Sequence, residues 1–361
     1  MRYCPYVDVR TLLTGLLAGQ RLSEAQAEAL FESLLAGRFD DAQIAAILSL
    51  IQVRGPSVDE LVGAARTMRR HATPVPFAPT DPARASLLDT CGTGGAIKTF
   101  NISTVVAIVA AAATPPDAPR RIYVAKHGNR SRTGRGSAEL LARLGVNVDA
   151  PPDVQAACLR EAGVCFCFAI HHHPAARHAA AARRSLGVPT MFNLLGPLTN
   201  PACAPRQLLG VFDRAYVEPM AQALLRLGAH KAMVVHSDDG LDEISTMAPT
   251  TIAHVHAGRV AVERFDPNTL GAPTASVAEL QARDLEDAAA RATGVLRGQP
   301  GPARDIVLLN AAAALVVGDV ASDLRAGLRM AAQAIDSGAA ANTLELLARL
   351  SHAGLGSNAA L

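Results

Sequence analysis

The chain has 361 residues, half of them hydrophobic but only 4% aromatic, with no tryptophan, and 34 basic against 32 acidic residues give a net charge of +2. That length allows one large core or two smaller ones, built mainly from Ala, Leu and Val. The charge balance gives no global reason to expect nucleic acid as a partner. Six cysteines, at 4, 91, 158, 165, 167 and 203, form neither a CxxC pair nor a regular framework, so thiols in a reducing cytosol are expected. Cys165 and Cys167 alternate within an apolar run and should face one layer, whereas Cys91 is the thiol to watch for reactivity. No apolar run reaches the ~20 residues that span a bilayer. The N-terminus has no signal-peptide core, and a soluble cytoplasmic protein is expected.

In chain order, residues 9–72 read as helices. Leu12, Leu13, Leu16 and Leu17, then Ala27, Leu30, Phe31, Leu34 and Leu35, recur at helical spacing. Ser23 and Gln26 form a capping box, Asp40 or Asp41 opens a third helix, and Ser57 with Glu60 opens a fourth. The stripe Ile44, Ile47, Leu48 and Ile51 suits either core or a dimer interface. Pro74-Val-Pro-Phe-Ala-Pro-Thr-Asp-Pro82 reads as a hinge-like linker, because proline restricts both itself and the residue before it. Strands are expected at 86–88, 122–125, 164–170, 207–212 and 232–236, each followed by a polar turn and a helical segment. The fold class is therefore α/β: a small helical N-terminal lobe and a larger α/β domain with a central mixed or parallel sheet.

Two polar loops carry the chemistry. Asp89-Thr-Cys-Gly-Thr-Gly-Gly95 runs on to Thr99-Phe-Asn-Ile-Ser-Thr104, and Lys126-His-Gly-Asn-Arg-Ser131 follows a second strand. Glycines admit close backbone approach to phosphate oxygens. Asn101, Ser103 and Thr104 precede the apolar run 105–113, so they sit at a helix N-terminus that favours anions. This is equipment for a doubly phosphorylated sugar. Lys126 is placed either for the diphosphate or as a lysine snorkelling from a strand end. Asp242-Glu243, in a glycine-containing loop after His236, offers the paired carboxylates that suit Mg²⁺. His171-His-His173 looks like a metal cluster, but adjacent histidines point apart, and solvated or edge positions are expected.

Together these motifs resemble the anthranilate phosphoribosyltransferases. The likeness extends to Phe192-Asn-Leu-Leu-Gly-Pro-Leu-Thr-Asn-Pro201, to Gly240-Leu-Asp-Glu-Ile-Ser245 and to Asn310-Ala-Ala-Ala-Ala-Leu-Val316. The resemblance implies transfer of a 5-phosphoribosyl group from phosphoribosyl diphosphate to anthranilate, with Mg²⁺ as cofactor, in tryptophan synthesis. It implies diphosphate-sugar contacts at Gly92, Thr93, Gly94, Gly95, Thr99, Asn101, Ser103, Thr104, Lys126, Arg130 and Ser137. Acceptor contacts fall on Gly92, His127, Asn129, Arg183 and Pro197, where the spacing to Leu186-Gly187 selects Arg183 over Arg184. Lys126 and His127 take catalytic positions, with His127 either assisting the amine or shaping the pocket. Metal ligation falls on Ser103, Asp242 and Glu243. The same resemblance makes residues 1–75 a helical lobe completed by 174–190, 76–84 a hinge, and 85–173 with 191–361 the α/β domain. It also implies a homodimer through the lobe.

Two loops depart from the family pattern. Ala96 stands where the family commonly has Asp, and both 96–98 and 132–137 are one residue short. Lys98, Arg132 and Arg135 are expected to replace part of the hydroxyl and metal contact to diphosphate. The rival readings are another carboxylated aryl amine as acceptor, a pyrimidine-nucleoside phosphorylase, or a non-catalytic paralogue that binds nucleic acid. Arg183 and the retained Asp242-Glu243 pair speak against the last two.

Overall fold

The computed structural model describes residues 7–76, 81–118, 120–131, 134–271 and 275–353. Four helices open the chain: α1 (Val9–Leu17), α2 (Glu24–Leu35), α3 (Asp41–Val53) and α4 (Val58–Arg70). Three of them start on side-chain caps: Ser23 with Gln26, Asp40 with Gln43 and Ser57 with Glu60 close reciprocal boxes that satisfy otherwise orphaned amides. Glu60 is fully buried. Burial alone would raise its pKa, but the Arg54 guanidinium and the amides of Leu22 and Ser57 hold it below the usual value. The stripe Ile44, Ile47, Leu48 and Ile51 is buried within the chain, so it is core.

The remainder alternates strand and helix: β1 (Leu87–Gly92), α5 (Ile102–Ala112), β2 (Tyr123–Gly128), α6 (Ser137–Arg143), α7 (Pro152–Ala162) and β3 (Val164–Phe168). Short helices α8 (Ala169–His172), α9 (Ala180–Leu186) and α10 (Met191–Leu195) then lead to β4 (Arg206–Gly210), α11 (Val217–Arg226), β5 (Lys231–Ser237), β6 (Thr250–His256) and β7 (Arg259–Phe265). The chain closes with α12 (Val277–Leu280), α13 (Leu285–Leu296), α14 (Pro302–Val317), α15 (Leu324–Asp336) and α16 (Ala339–Ser351). No described helix is long and apolar enough to cross a membrane.

The seven strands lie in the order β3-β2-β1-β4-β5-β6-β7. The first five run parallel, and β6 and β7 are antiparallel. From β1 the chain winds one way to β2 and β3, and later the other way from β4 to β5. The crevice at the carboxyl ends of β1 and β4 is thus the switch point where ligands of doubly wound sheets bind. Helix α5 is apolar on every side, and all of it but Ser103 is buried. It packs on β1, β2 and α14, so its N-terminus is fixed below that crevice.

The structure adjusts several expectations. β1 continues to Gly92, because the ladder with β4 extends to Gly92 opposite Gly210. β3 stops at Phe168, where the chain turns into α8. The β6–β7 hairpin lies beyond the expected strands, although its turn at Ala257 and Gly258, with φ of 49° and 72°, is the primed type that antiparallel twist prefers. Helix α9 packs on α3, and the 3₁₀ turn Pro174–Ala179 packs on α2. Of the expected hinge 76–84, residues 77–80 lie outside the described residues.

The histidine expectation needs correction: His171 is exposed, but His172 and His173 are buried. His172 is held by Thr73, whose amide donates to the His172 carbonyl and whose carbonyl accepts from Nδ1 at 2.6 Å. Adjacent histidines do point apart, but two of them point inward. Cys165 and Cys167 do face one layer, with their sulfurs 3.7 Å apart.

Candidate active site

The cleft forms from loops at the carboxyl ends of β1, β2, β4 and β5, above the N-terminus of α5. After β1, Thr93 pins the first loop: its amide donates to Gly210 O at 2.9 Å, and its hydroxyl accepts from the Phe212 amide at 3.0 Å. Gly94 and Gly95 follow, exposed and left-handed with φ of 64° and 96°, which glycine adopts without strain. Thr99 is half-buried. Asn101 caps α5 in a left-handed conformation, φ 64°, that asparagine tolerates. Its side-chain amide donates to Arg135 O at 3.3 Å and so joins the loops that follow β1 and β2.

Ser103 lies at the centre. Its amide donates to a Glu243 carboxylate oxygen at 3.1 Å, and its hydroxyl accepts from the Lys126 ammonium at 3.0 Å. Lys126 is buried and also donates to Thr90 O. Burial lowers its pKa, opposed by the charges of Asp89, Cys91, Glu243 and Asp242. Burial raises the pKa of Asp89 and of Asp242, where Lys98, His236 and Lys126 work against the shift. Glu243 is pushed up to about 8 by burial and by the neighbouring Asp242 charge.

Asp242 and Glu243 therefore form a half-buried like-charge pair that makes no ion pair among the described residues, although Lys126 and Lys98 act on it from farther off. Among the described residues, the Ser103 amide is the one donor from elsewhere in the chain that their oxygens accept. Hard oxygen donors with unused lone pairs fit Mg²⁺, which completes its shell with water and phosphate oxygens. No group of three His, Cys, Asp or Glu side chains able to hold a metal exists among the described residues.

Gly92 is needed for this approach. A Cβ there would stand 2.6 Å from Asp242 Oδ2. Gly92→Ala is expected to push that carboxylate aside and to raise the Mg²⁺ concentration for half-maximal turnover about tenfold. Because the clashing group is a side chain, circular dichroism should show an intact fold.

His127 is buried, and its amide donates to Asp89 Oδ1 at 3.1 Å. Nδ1 faces Gly196 O at 3.1 Å; a carbonyl only accepts, so Nδ1 carries the proton and Nε2 presents a lone pair. Nε2 has no partner, and the ring packs 5.2 Å from that of His173. Burial, with His173 and His172 nearby, drives the His127 pKa well below its ordinary value. Pro197 is buried beside it, its carbonyl accepting from Gln207 Nε2 at 2.8 Å.

Arg183, on α9, is half-buried, and its guanidinium lies 4.8 Å over the Phe192 ring. Burial lowers its pKa, and no carboxylate pairs with it among the described residues. Asn129 is exposed, its Oδ1 accepting from the Arg130 amide and its carbonyl from the Ser137 hydroxyl.

Other expected residues are placed differently. Thr104 has its amide bonded to Asn101 O and its hydroxyl sealed without a partner, so in this conformation it offers the cleft nothing. Arg130 stacks over Phe168 at 5.5 Å. Arg135 is turned away: its guanidinium donates to the carbonyls of Ala282 and Arg283. Arg132 lies outside the described residues. The Cys91 thiol is buried and its pKa raised well above normal by burial and by Asp89, so it is no nucleophile.

Residues 84–341 match the model of a glycosyl transferase family, a/b domain, and residues 10–72 match the helical bundle domain of a glycosyl transferase family. The anthranilate phosphoribosyltransferases of Moorella thermoacetica and Thioalkalivibrio sulfidiphilus are 46% and 48% identical to it, each over 94% of this chain and over 97% and 98% of their own. The crystal structure of the Thermus thermophilus enzyme of that name has a TM-score of 0.85 at 36% identity, covering 95% of this chain and 99% of the other. The chain belongs to the anthranilate phosphoribosyltransferase family. The Saccharomyces cerevisiae member, solved in complex with PRPP and Mg, shares the fold with a TM-score of 0.84 at 23% identity.

For an anthranilate phosphoribosyltransferase family member, the sequence motifs locate the loops but miss their supports. Asp89 heads the first motif, yet nothing in that motif reveals its role in holding the His127 backbone. Asn193, which donates to Thr93 O at 3.3 Å, lies inside a recognised stretch without an assigned task. Such supports carry no local signal, because their partners are 38 to 100 residues away.

Proposed function

We infer that the chain transfers the 5-phosphoribosyl group from phosphoribosyl diphosphate to anthranilate and releases diphosphate, as the names of its relatives state for them. One observation carries the reading at this site: the Arg183 guanidinium, without a carboxylate partner among the described residues, on the helical side of the cleft, against a carboxylate pair that makes no ion pair among them on the sheet side. A carboxylated aryl amine satisfies the first, and a metal-bearing diphosphate satisfies the second.

In this reading the amides around Gly94 and Gly95 and the start of α5 receive the diphosphate, where the helix dipole favours negative charge. Ser103, Asp242 and Glu243 would hold Mg²⁺, which would supply positive charge to the diphosphate oxygens. Lys126 adds a fixed positive charge from within the wall. Arg183 fixes the acceptor carboxylate by a planar fork, with Phe192 stacked beneath the guanidinium. The amine must attack C1 as diphosphate leaves. His127 Nε2 is sealed in this conformation, and on rearrangement of the cleft its lone pair would accept a hydrogen bond from the amine and orient the nitrogen. With its pKa held so low it is a poor base, and an aniline-like nitrogen is already uncharged, so positioning is its role.

In this reading a lobe of residues 1–75 completed by 174–190 closes on the α/β domain. Closure would keep water from the activated sugar. A homodimer through the lobe is favoured by Leu17 and Val53, which are 72% and 89% exposed on α1 and α3.

The test is anthranilate fluorescence with phosphoribosyl diphosphate, in Mg²⁺ and in EDTA. Metal-dependent loss of fluorescence is expected. Absent turnover despite phosphoribosyl diphosphate binding would move the acceptor to another aryl amine. Absence of both, with a nucleic-acid affinity that falls steeply with salt, would replace the reading altogether.

A further inference from the structure

The loop between Gly92 and Phe100 contains one charged residue, Lys98. Ala96 contributes no carboxylate to pair with it. The loop is seated on the segment that carries the carboxylate pair: Ile97 Cδ1 lies 3.1 Å from where a Cβ would stand on Gly240, whose φ is +86°. That contact seats Lys98, the next residue, near the segment that carries Asp242, and its charge opposes the rise that burial imposes on the Asp242 pKa. Lys98 is half-buried, and no carboxylate lies within ion-pairing distance of it among the described residues. Of the two members of the expected cation trio among the described residues, Lys98 is the one left for the site, since Arg135 is spent on the carbonyls of Ala282 and Arg283.

The charge count makes such a residue consequential. Asp89, Asp242 and Glu243 set three carboxyl groups in the inner cleft near the ammonium of Lys126, and those that are ionised repel an incoming phosphate. A diphosphate arriving there meets repulsion that a divalent cation or a nearby ammonium must offset. An unpaired lysine can do so by a charge-assisted hydrogen bond to phosphate oxygen.

We propose that Lys98 is a resident cation of the diphosphate subsite, which contacts the diphosphate beside Asp242 and makes binding of the sugar diphosphate less dependent on divalent metal. The proposal rests on the function inferred above. Lys98 supplies a charge that the metal would otherwise supply alone.

The experiment is calorimetric binding of phosphoribosyl diphosphate to the full-length protein in Mg²⁺ and in EDTA, for wild type, Lys98→Gln and Lys98→Arg. Wild type is expected to keep measurable affinity in EDTA. Lys98→Gln should lose about ten- to a hundredfold there and clearly less in Mg²⁺, and Lys98→Arg should keep most of the metal-free binding. Equal affinity of Lys98→Gln and wild type in EDTA overturns the proposal, as does an equal loss in both buffers. A wild-type protein that binds in neither buffer overturns the functional reading itself, and this proposal with it.

Discussion

Replacing Asp242 with Asn and Glu243 with Gln together is expected to lower kcat/KM about a thousandfold and, at the same time, to stabilise the metal-free protein. The first effect follows from removing the anionic oxygens that can hold a metal against the diphosphate. The second follows from linkage. Glu243 has its pKa raised from 4.5 to about 8, and that of Asp242 is raised too, burial being the main cause in both. Between those values for Glu243 the folded protein binds more protons than the unfolded chain, so its stability falls as pH rises through that window. Neutral amides remove the slope. In EDTA at pH 8 the double variant should melt a few degrees higher than wild type, corresponding to about 1–2 kcal/mol. Mg²⁺ should raise the wild-type midpoint and leave the variant's unchanged. A variant that retains turnover, or that shows the wild-type pH slope in EDTA, would falsify the assignment of the pair.

This tension between stability and function explains why some of the molecule is legible from its residues and some is not. Local rules read the frame well. Ser23, Asp40 and Ser57 announce helix starts because capping is a contact of three residues' reach. Apolar run 105–113 announces a buried helix because no polar face interrupts it. Glycine-rich loops and the Asp242-Glu243 pair stand out because few other combinations need so many small or charged residues together. What fails is direction. Arg135 reads as a phosphate ligand, but carbonyls at 282 and 283 claim its guanidinium. His172 reads as an edge residue, but Thr73 and Gln155 bind both its ring nitrogens inside the protein. Cys91 sits in a loop that carries ligand chemistry, yet its side chain points into the core. In each case the partner is distant in sequence, and a motif reports where a residue is without reporting where it faces.

The second large effect concerns Arg183. Arg183→Ala is expected to raise KM for anthranilate about a hundredfold, leaving KM for phosphoribosyl diphosphate within about twofold. The reason begins with what the guanidinium lacks. It is half-buried, with its pKa lowered by that burial; among the described residues no carboxylate pairs with it, and the Phe192 ring lies 4.8 Å away. A ring face offsets part of the desolvation of a cation but not all of it, so the site favours an arriving carboxylate. Lysine should restore little, because its single ammonium neither forms the planar fork nor stacks on Phe192 in the same way. Removing the acceptor's carboxylate should reproduce the defect from the ligand side. Aniline should be as poor a substrate for wild type as anthranilate is for Arg183→Ala, and the variant should discriminate little between the two. A variant that still preferred anthranilate a hundredfold would place carboxylate recognition elsewhere in the cleft. With anthranilate preference lost and phosphoribosyl diphosphate binding kept, acceptor choice would be located on α9, a helix packed on α3 of the N-terminal bundle, and metal and diphosphate on the sheet. Catalysis would then depend on the two lobes meeting, which is the physical reason for dividing the site between them.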